Sequence, residues 1–145
     1  MPDSNISSVG FRSRPLAQPR LLRSQALIGG AWVDARSGRQ FDVVDPATRE
    51  VIARLPDMGR EDTQQAIAAA ERAGSDWRAR TAKERGILLR RWFDLVVAHQ
   101  DDLAAIMTAE QGKPLAEAKG EVLFAASFID WYAEEGKRTY SDVIP

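Results

Sequence analysis

The 145-residue sequence contains no cysteine and a single histidine, His99. The first absence excludes disulfides, cysteine metal sites and any thiol nucleophile within these residues. The lone imidazole sits at an expected helix end beside Gln100 and two aspartates. A general base needs an orienting partner, and none is visible, so His99 reads as a cap or surface residue. No apolar run approaches the ~20 residues of a transmembrane helix, and no apolar segment of a secretory signal opens the chain. No membrane association is expected, and the expected compartment is the cytoplasm. A net charge of −1 gives no hint of the basic surface that a nucleic-acid partner would require. A phosphate loop is missing too. "QGKP" lacks the upstream glycine, and Pro114 stands where the loop needs Ser or Thr, so the motif reads as helix punctuation.

What is present is the composition of a soluble globular protein, 44% apolar and 28% charged. The charge is uneven: Arg12, Arg14, Arg20 and Arg23 face only Asp3 over residues 1–23. That opening is rich in Ser, Pro and Arg without apolar periodicity, so residues 1–20 are expected to form a flexible arm. An organelle-targeting peptide has similar composition, but Pro2, Pro15 and Pro19 argue against the amphipathic helix it would form.

Residues 26–56 alternate short β-branched or aromatic runs with turn residues. Gly29-Gly30 separates Leu27-Ile28 from Trp32-Val33, the spacing of a two-residue hairpin. Ser37-Gly38 marks a second turn and "DPATRE" a third, ahead of "VIARL". Four helices should follow. Glu61 and Asp62 suit the positive end of a first helix, with Ile67, Ala70, Gly74 and Trp77 on one face. Thr81 and Glu84 form a capping-box pattern opening a second helix, with Leu88, Trp92 and Leu95 on one face and Leu89, Phe93 and Val96 beside it. Asp101 is the expected cap of a third helix, Gly112 its terminator, and Pro114 the first residue of a fourth. The fourth carries Leu115, Ala118, Val122, Ala125, Ile129 and Ala133 on one stripe, widened by Leu123, Phe124, Phe128 and Trp131. A helix apolar over so much of its circumference expects partners on more than one side. The "YSDVIP" ending reads as strand-like.

The residues alone support no catalysis. Glu134 and Glu135 are adjacent and splay about 100° apart on a helix. Glu117 and Glu121 share a face but read as a solvated edge, and the Trp and Phe stripes read as core.

A resemblance supplies what the residues do not. "EQGKPLAEAKGEV" and "ASFIDWYAEEGKR" resemble the helix pair that precedes the catalytic core in NAD(P)-dependent aldehyde dehydrogenases. "LIGGAWVDARSGRQFDVVDPATREVIARLPDMG" is similar to that family's amino-terminal hairpins, and "WRARTAKERGILLRRWFDLV" to its next helices. Within the family, "TAKER", "HQDDLA" and "EEGKR" are most similar to the bacterial succinate-semialdehyde dehydrogenase branch. The resemblance covers residues 21–145. It implies an α/β protein whose leading part, short β-hairpins followed by four packed α-helices, is this chain, truncated before the nucleotide-binding βαβ units.

The implied activity is oxidation of a small-molecule aldehyde, succinate semialdehyde to succinate, with NAD or NADP, in a complete enzyme that forms homo-oligomers. The resemblance puts the cysteine nucleophile, the base, the oxyanion donor and the cofactor-binding residues elsewhere, so none is expected here. It implies a structural monovalent cation held by Val43 and Val44, through carbonyls, and by Glu110, through its carboxylate, with plain turn and helix-end roles as the alternative reading of all three. Oxygen ligands of this kind suit a hard cation. It also places Phe124 and Phe128 on the wall of the substrate tunnel, with plain core packing as the alternative reading of each. The family's turn usually has glycine where this chain has Arg49. If that position is left-handed, arginine costs about 1 kcal/mol there. The rival to an enzyme scaffold is a stand-alone helical interaction module that binds a partner through its exposed Phe/Trp face.

Overall fold

The computed structural model describes residues 15–138, so most of the expected arm and the "YSDVIP" ending lie outside the described residues. Two separate antiparallel hairpins come first. The first pairs β1 (Ala26–Ile28) with β2 (Ala31–Val33), Leu27 standing opposite Trp32. Gly29 and Gly30 both take positive φ, +60° and +82°, the conformation a tight two-residue turn demands. The second pairs β3 (Gln40–Val44) with β4 (Val51–Pro56), with an irregularity between Val43 and Val44. Its turn is built by Asp45, whose carboxylate Oδ1 accepts the Ala47 N–H at 2.7 Å and the Thr48 N–H at 3.1 Å. Arg49 takes φ +66°, so the left-handed position is real and is held by a residue with a Cβ.

Helix α1 (Arg60–Ala79) carries in its first turn Asp62, a buried carboxylate that accepts the Gly59 N–H at 2.9 Å and the Arg36 N–H at 3.3 Å. One side chain thus ties the helix start to the preceding loop. The expected apolar face of α1 does not pack: Ile67 and Trp77 are exposed, and the helix instead approaches β1, with Ala69 near Gly29. Periodicity shows which side of a helix is apolar but not whether its partner lies in the same chain.

Helices α2 (Ala82–Ala98), α3 (Gln100–Gln111) and α4 (Leu115–Glu135) pack together. The capping box forms as expected: the Thr81 hydroxyl accepts the Glu84 N–H, and the Glu84 carboxylate accepts the Thr81 N–H at 2.8 Å. His99 ends α2 and caps α3, so Asp101 lies within the first turn of α3 rather than at its cap, where it pairs with Lys119 at 2.6 Å. Gly112 ends α3 in the left-handed conformation, φ +77°. Pro114 is the cap of α4, one position earlier than expected, and the helix begins at Leu115.

The α2–α4 contact uses small residues. Ala118, Ala126 and Ala133 are essentially inaccessible on α4, and Gly86 is buried on α2. Their short side chains bring the backbones close, as ridges without bulk allow. On α2 the packed row is therefore Gly86, Leu89, Phe93 and Val96, while Leu88, Trp92 and Leu95 face outward. Two apolar clusters result. One joins Ala104, Ala118 and Val122 between α3 and α4; the other joins Leu22, Ile52 and Ala109, with Val43 and Leu16 against it. The expected arm thus does not remain free to residue 20: Leu16 packs in this cluster, and Pro19–Leu21 forms a turn of 3-10 helix.

Candidate functional site

The outward face of α4 is the most unusual surface of the chain. Phe124 and Phe128 are 64% and 50% exposed, and their rings meet edge to face at 5.0 Å between centroids. One helical turn separates them, which brings the rings together on one stripe. Trp131 and Tyr132 continue the apolar surface, both exposed. The stripe that was read as core, or as core packing for Phe124 and Phe128, is not core within the described residues. Trp32, Trp77 and Trp92 are exposed as well. None of these side chains is covered by the described helices.

The residues read as cation ligands lie on two elements joined by one cluster. Val43 packs with Ile52 and Ala109, and Val44 sits next to it at the irregularity in the β3–β4 ladder. Such irregularities take backbone groups out of regular pairing, which suits a carbonyl that must ligate. Glu110 follows Ala109 on α3, but its side chain lines a cleft of about 390 Å³ with Val96, Met107, Val122 and Glu121. Neither Val43 nor Val44 lines that cleft. Burial raises the Glu110 carboxyl above its ordinary range although the residue as a whole remains exposed. A carboxylate partly stripped of water gains from a cation nearby. Among the described residues no three His, Cys, Asp or Glu side chains cluster to hold a metal, so backbone oxygens would have to complete any shell. Glu121 itself is ion-paired with Lys113. Gly112 binds the helix end to the β3–β4 turn: a Cβ there would stand 2.9 Å from Pro46 Cγ. Val43 and Glu110 are thus linked only through Ala109, and the Glu110 side chain lines the cleft toward α4 rather than the hairpin.

The other ionic contacts are surface chemistry. Arg90 pairs with Asp130 of α4 at 2.7 Å and with Asp94 at 3.2 Å, and covers the Phe93 ring. Glu134 is held below the usual carboxylate range, first by its hydrogen bond from Lys137. His99 has the structural place expected of it, and none of these groups forms a nucleophile–base pair. Asp102 and Gly86, both structurally decisive, escaped sequence reading. Neither residue stands in a local pattern that marks its role: Asp102 bonds a segment more than eighty residues away, and Gly86 matters through the α4 backbone it faces.

Over residues 32–145 the sequence matches the aldehyde dehydrogenase family model. It is 58% identical over 130 residues to an NADP-dependent succinate-semialdehyde dehydrogenase of Escherichia coli and 58% identical to a glutarate-semialdehyde dehydrogenase of Pseudomonas putida. Each alignment covers 90% of this chain and 27% of the relative. The crystal structure of a succinate-semialdehyde dehydrogenase from Burkholderia pseudomallei superposes with a TM-score of 0.87 at 58% identity, again over 90% of this chain and 27% of that one. The chain therefore spans about a quarter of the length of the relatives it matches. The two hairpins and four helices superpose on the leading part of that structure, and the chain belongs to the aldehyde dehydrogenase family.

Proposed function

We propose that these residues are the leading scaffold of a longer NAD(P)-dependent dehydrogenase that oxidises a short acid semialdehyde, succinate semialdehyde first among the candidates. The observation that carries this reading is the exposed Phe124–Phe128–Trp131 face on a helix whose opposite side is fully packed. An apolar stripe of that extent marks a contact with further polypeptide or with a ligand. Thiolate attack on an aldehyde needs a cysteine, and these residues contain none. In this reading the nucleophile is supplied by polypeptide outside the 145 residues, and the nicotinamide cofactor accepts the hydride there. Relatives of equal similarity over this stretch are named for succinate and for glutarate semialdehyde, so substrate choice rests mainly on residues elsewhere.

Phe124 and Phe128 are proposed as part of the tunnel wall. Their edge-to-face pairing makes a continuous apolar surface without a donor or acceptor, which guides a substrate without binding its carboxylate. Val43, Val44 and Glu110 are proposed to hold a monovalent cation that fastens the second hairpin to the end of α3. The test is an assay of the protein as its host makes it, following nicotinamide reduction with succinate and glutarate semialdehydes. Turnover of either, with a raised KM and a largely kept kcat after Phe124→Ala, supports the assignment. No turnover of any aldehyde with either nucleotide contradicts it.

A further inference from the structure

Residues Leu16–Leu22 run against β4 and α3 without joining either hairpin. Their attachments are few. The Asp102 carboxylate accepts the Ala17 N–H through Oδ1 at 2.9 Å and the Gln18 N–H through Oδ2 at 2.8 Å. Leu16 and Leu22 lie in the cluster with Ile52 and Ala109, and between them stands the single 3-10 turn Pro19–Leu21. Ser24, just beyond, is fully buried.

Asp102 is the third residue of α3, where a carboxylate ordinarily serves its own helix end. Here it accepts two hydrogen bonds from a segment more than eighty residues away in sequence, and the α3 cap makes no side-chain bond of its own. The carboxylate is buried, so both bonds are shielded from water and charge-assisted. Among the described residues this segment joins no strand ladder and is attached through the Asp102 carboxylate and two leucines, the features of a unit that opens locally. We infer that Leu16–Leu22 is a strap latched by Asp102, which opens as a unit while α2, α3 and α4 stay folded. Its opening uncovers Ile52, Ala109 and Val43, the apolar junction between the second hairpin and α3.

Trypsin reads the strap directly, because Arg20 lies inside it. The full chain and its Asp102→Asn variant are digested under native conditions, and cleavage after Arg20 and after Lys119 in α4 is followed by mass. The amide keeps one accepting oxygen and turns an NH₂ toward the second backbone N–H. Losing that charge-assisted pair should speed cleavage at Arg20 by about tenfold or more, with Lys119 unchanged. Equal cleavage at Arg20 in both proteins overturns the latch. Parallel acceleration at Arg20 and Lys119 overturns the separate unit. In the unsubstituted protein the Ala17 and Gln18 amides should exchange hydrogen more slowly than a free peptide and faster than the amides around Val122. Exchange in step with Val122, or at the free-peptide rate, would also overturn the proposal.

Discussion

A Cβ on Gly86 would stand 2.8 Å from the carbonyl oxygen of Ala133 and 2.8 Å from Cε of Lys137. The lysine can swing away, but the carbonyl belongs to the backbone of α4 and cannot. Gly86→Ala must therefore push α2 and α4 apart or strain both. Overpacking of this kind costs typically 1–3 kcal/mol, offset by about 1 kcal/mol from better helix propensity. The denaturation midpoint should fall with an unchanged slope. An equal or higher midpoint would show that α2 does not approach α4 at this residue.

Arg49 is the one described residue other than glycine with positive φ, and it sits where the turn reverses between β3 and β4. Its N–H donates to the Asp45 carbonyl at 2.8 Å, so backbone bonding holds the turn. Arg49→Gly removes the left-handed strain, about 1 kcal/mol, while adding freedom to the unfolded chain. The net expectation is a thermal midpoint raised by the equivalent of up to about 1 kcal/mol. A lowered midpoint would mean that the arginine side chain carries stabilising contacts.

The Thr81–Glu84 box predicts a sign for one pH dependence. The Glu84 carboxyl is held below its ordinary value, first by the Thr81 backbone N–H and then by the Thr81 hydroxyl. A carboxylate lowered in the folded state stabilises fully above its unfolded value and loses that contribution as pH falls through the folded one. Glu84→Gln should therefore lower stability at neutral pH and flatten its decline below about pH 4.5, the unfolded value. Parallel curves for both proteins would remove Glu84 from the account. Thr81→Ala tests the same box from the other side, at a cost of about 1 kcal/mol.

Glu110 behaves oppositely. Burial raises its carboxyl, so its ionisation opposes folding: stability falls as pH rises through the window above the unfolded value, and the full penalty remains at neutral pH. Without a cation, Glu110→Gln should raise the thermal midpoint at neutral pH and lose that advantage in acid. With potassium replacing a bulky organic cation, the unsubstituted protein should gain stability and the variant should not. A potassium effect of equal size in both proteins would take Glu110 out of the proposed cation site.

The features legible in the sequence are those that backbone chemistry decides locally. Gly29-Gly30, the Asp45 turn, the Thr81–Glu84 box and Gly112 each name a conformation that few other residues accept, and each forms. The packing faces were less legible. On α2 two apolar rows lie about 100° apart, and periodicity alone does not choose between them. Gly86 chooses, because the row it heads permits the closest approach of α4. On α1, and for Phe124, Phe128 and Trp131, the sequence announces an apolar face whose partner is not among the described residues. The long-range role of Asp102 was hidden for another reason: nothing local marks a carboxylate that bonds a segment so distant in sequence.

The central claim, a scaffold whose nucleophile lies in further polypeptide, is tested most directly by the intact mass of the protein as its native host makes it. The chain covers 27% of its relatives, so the account predicts a mass about three to four times 16.1 kDa, with nicotinamide reduction on succinate semialdehyde in the same fraction. A mass of 16.1 kDa would contradict it, and the Phe124–Trp131 face would then have to serve a separate partner.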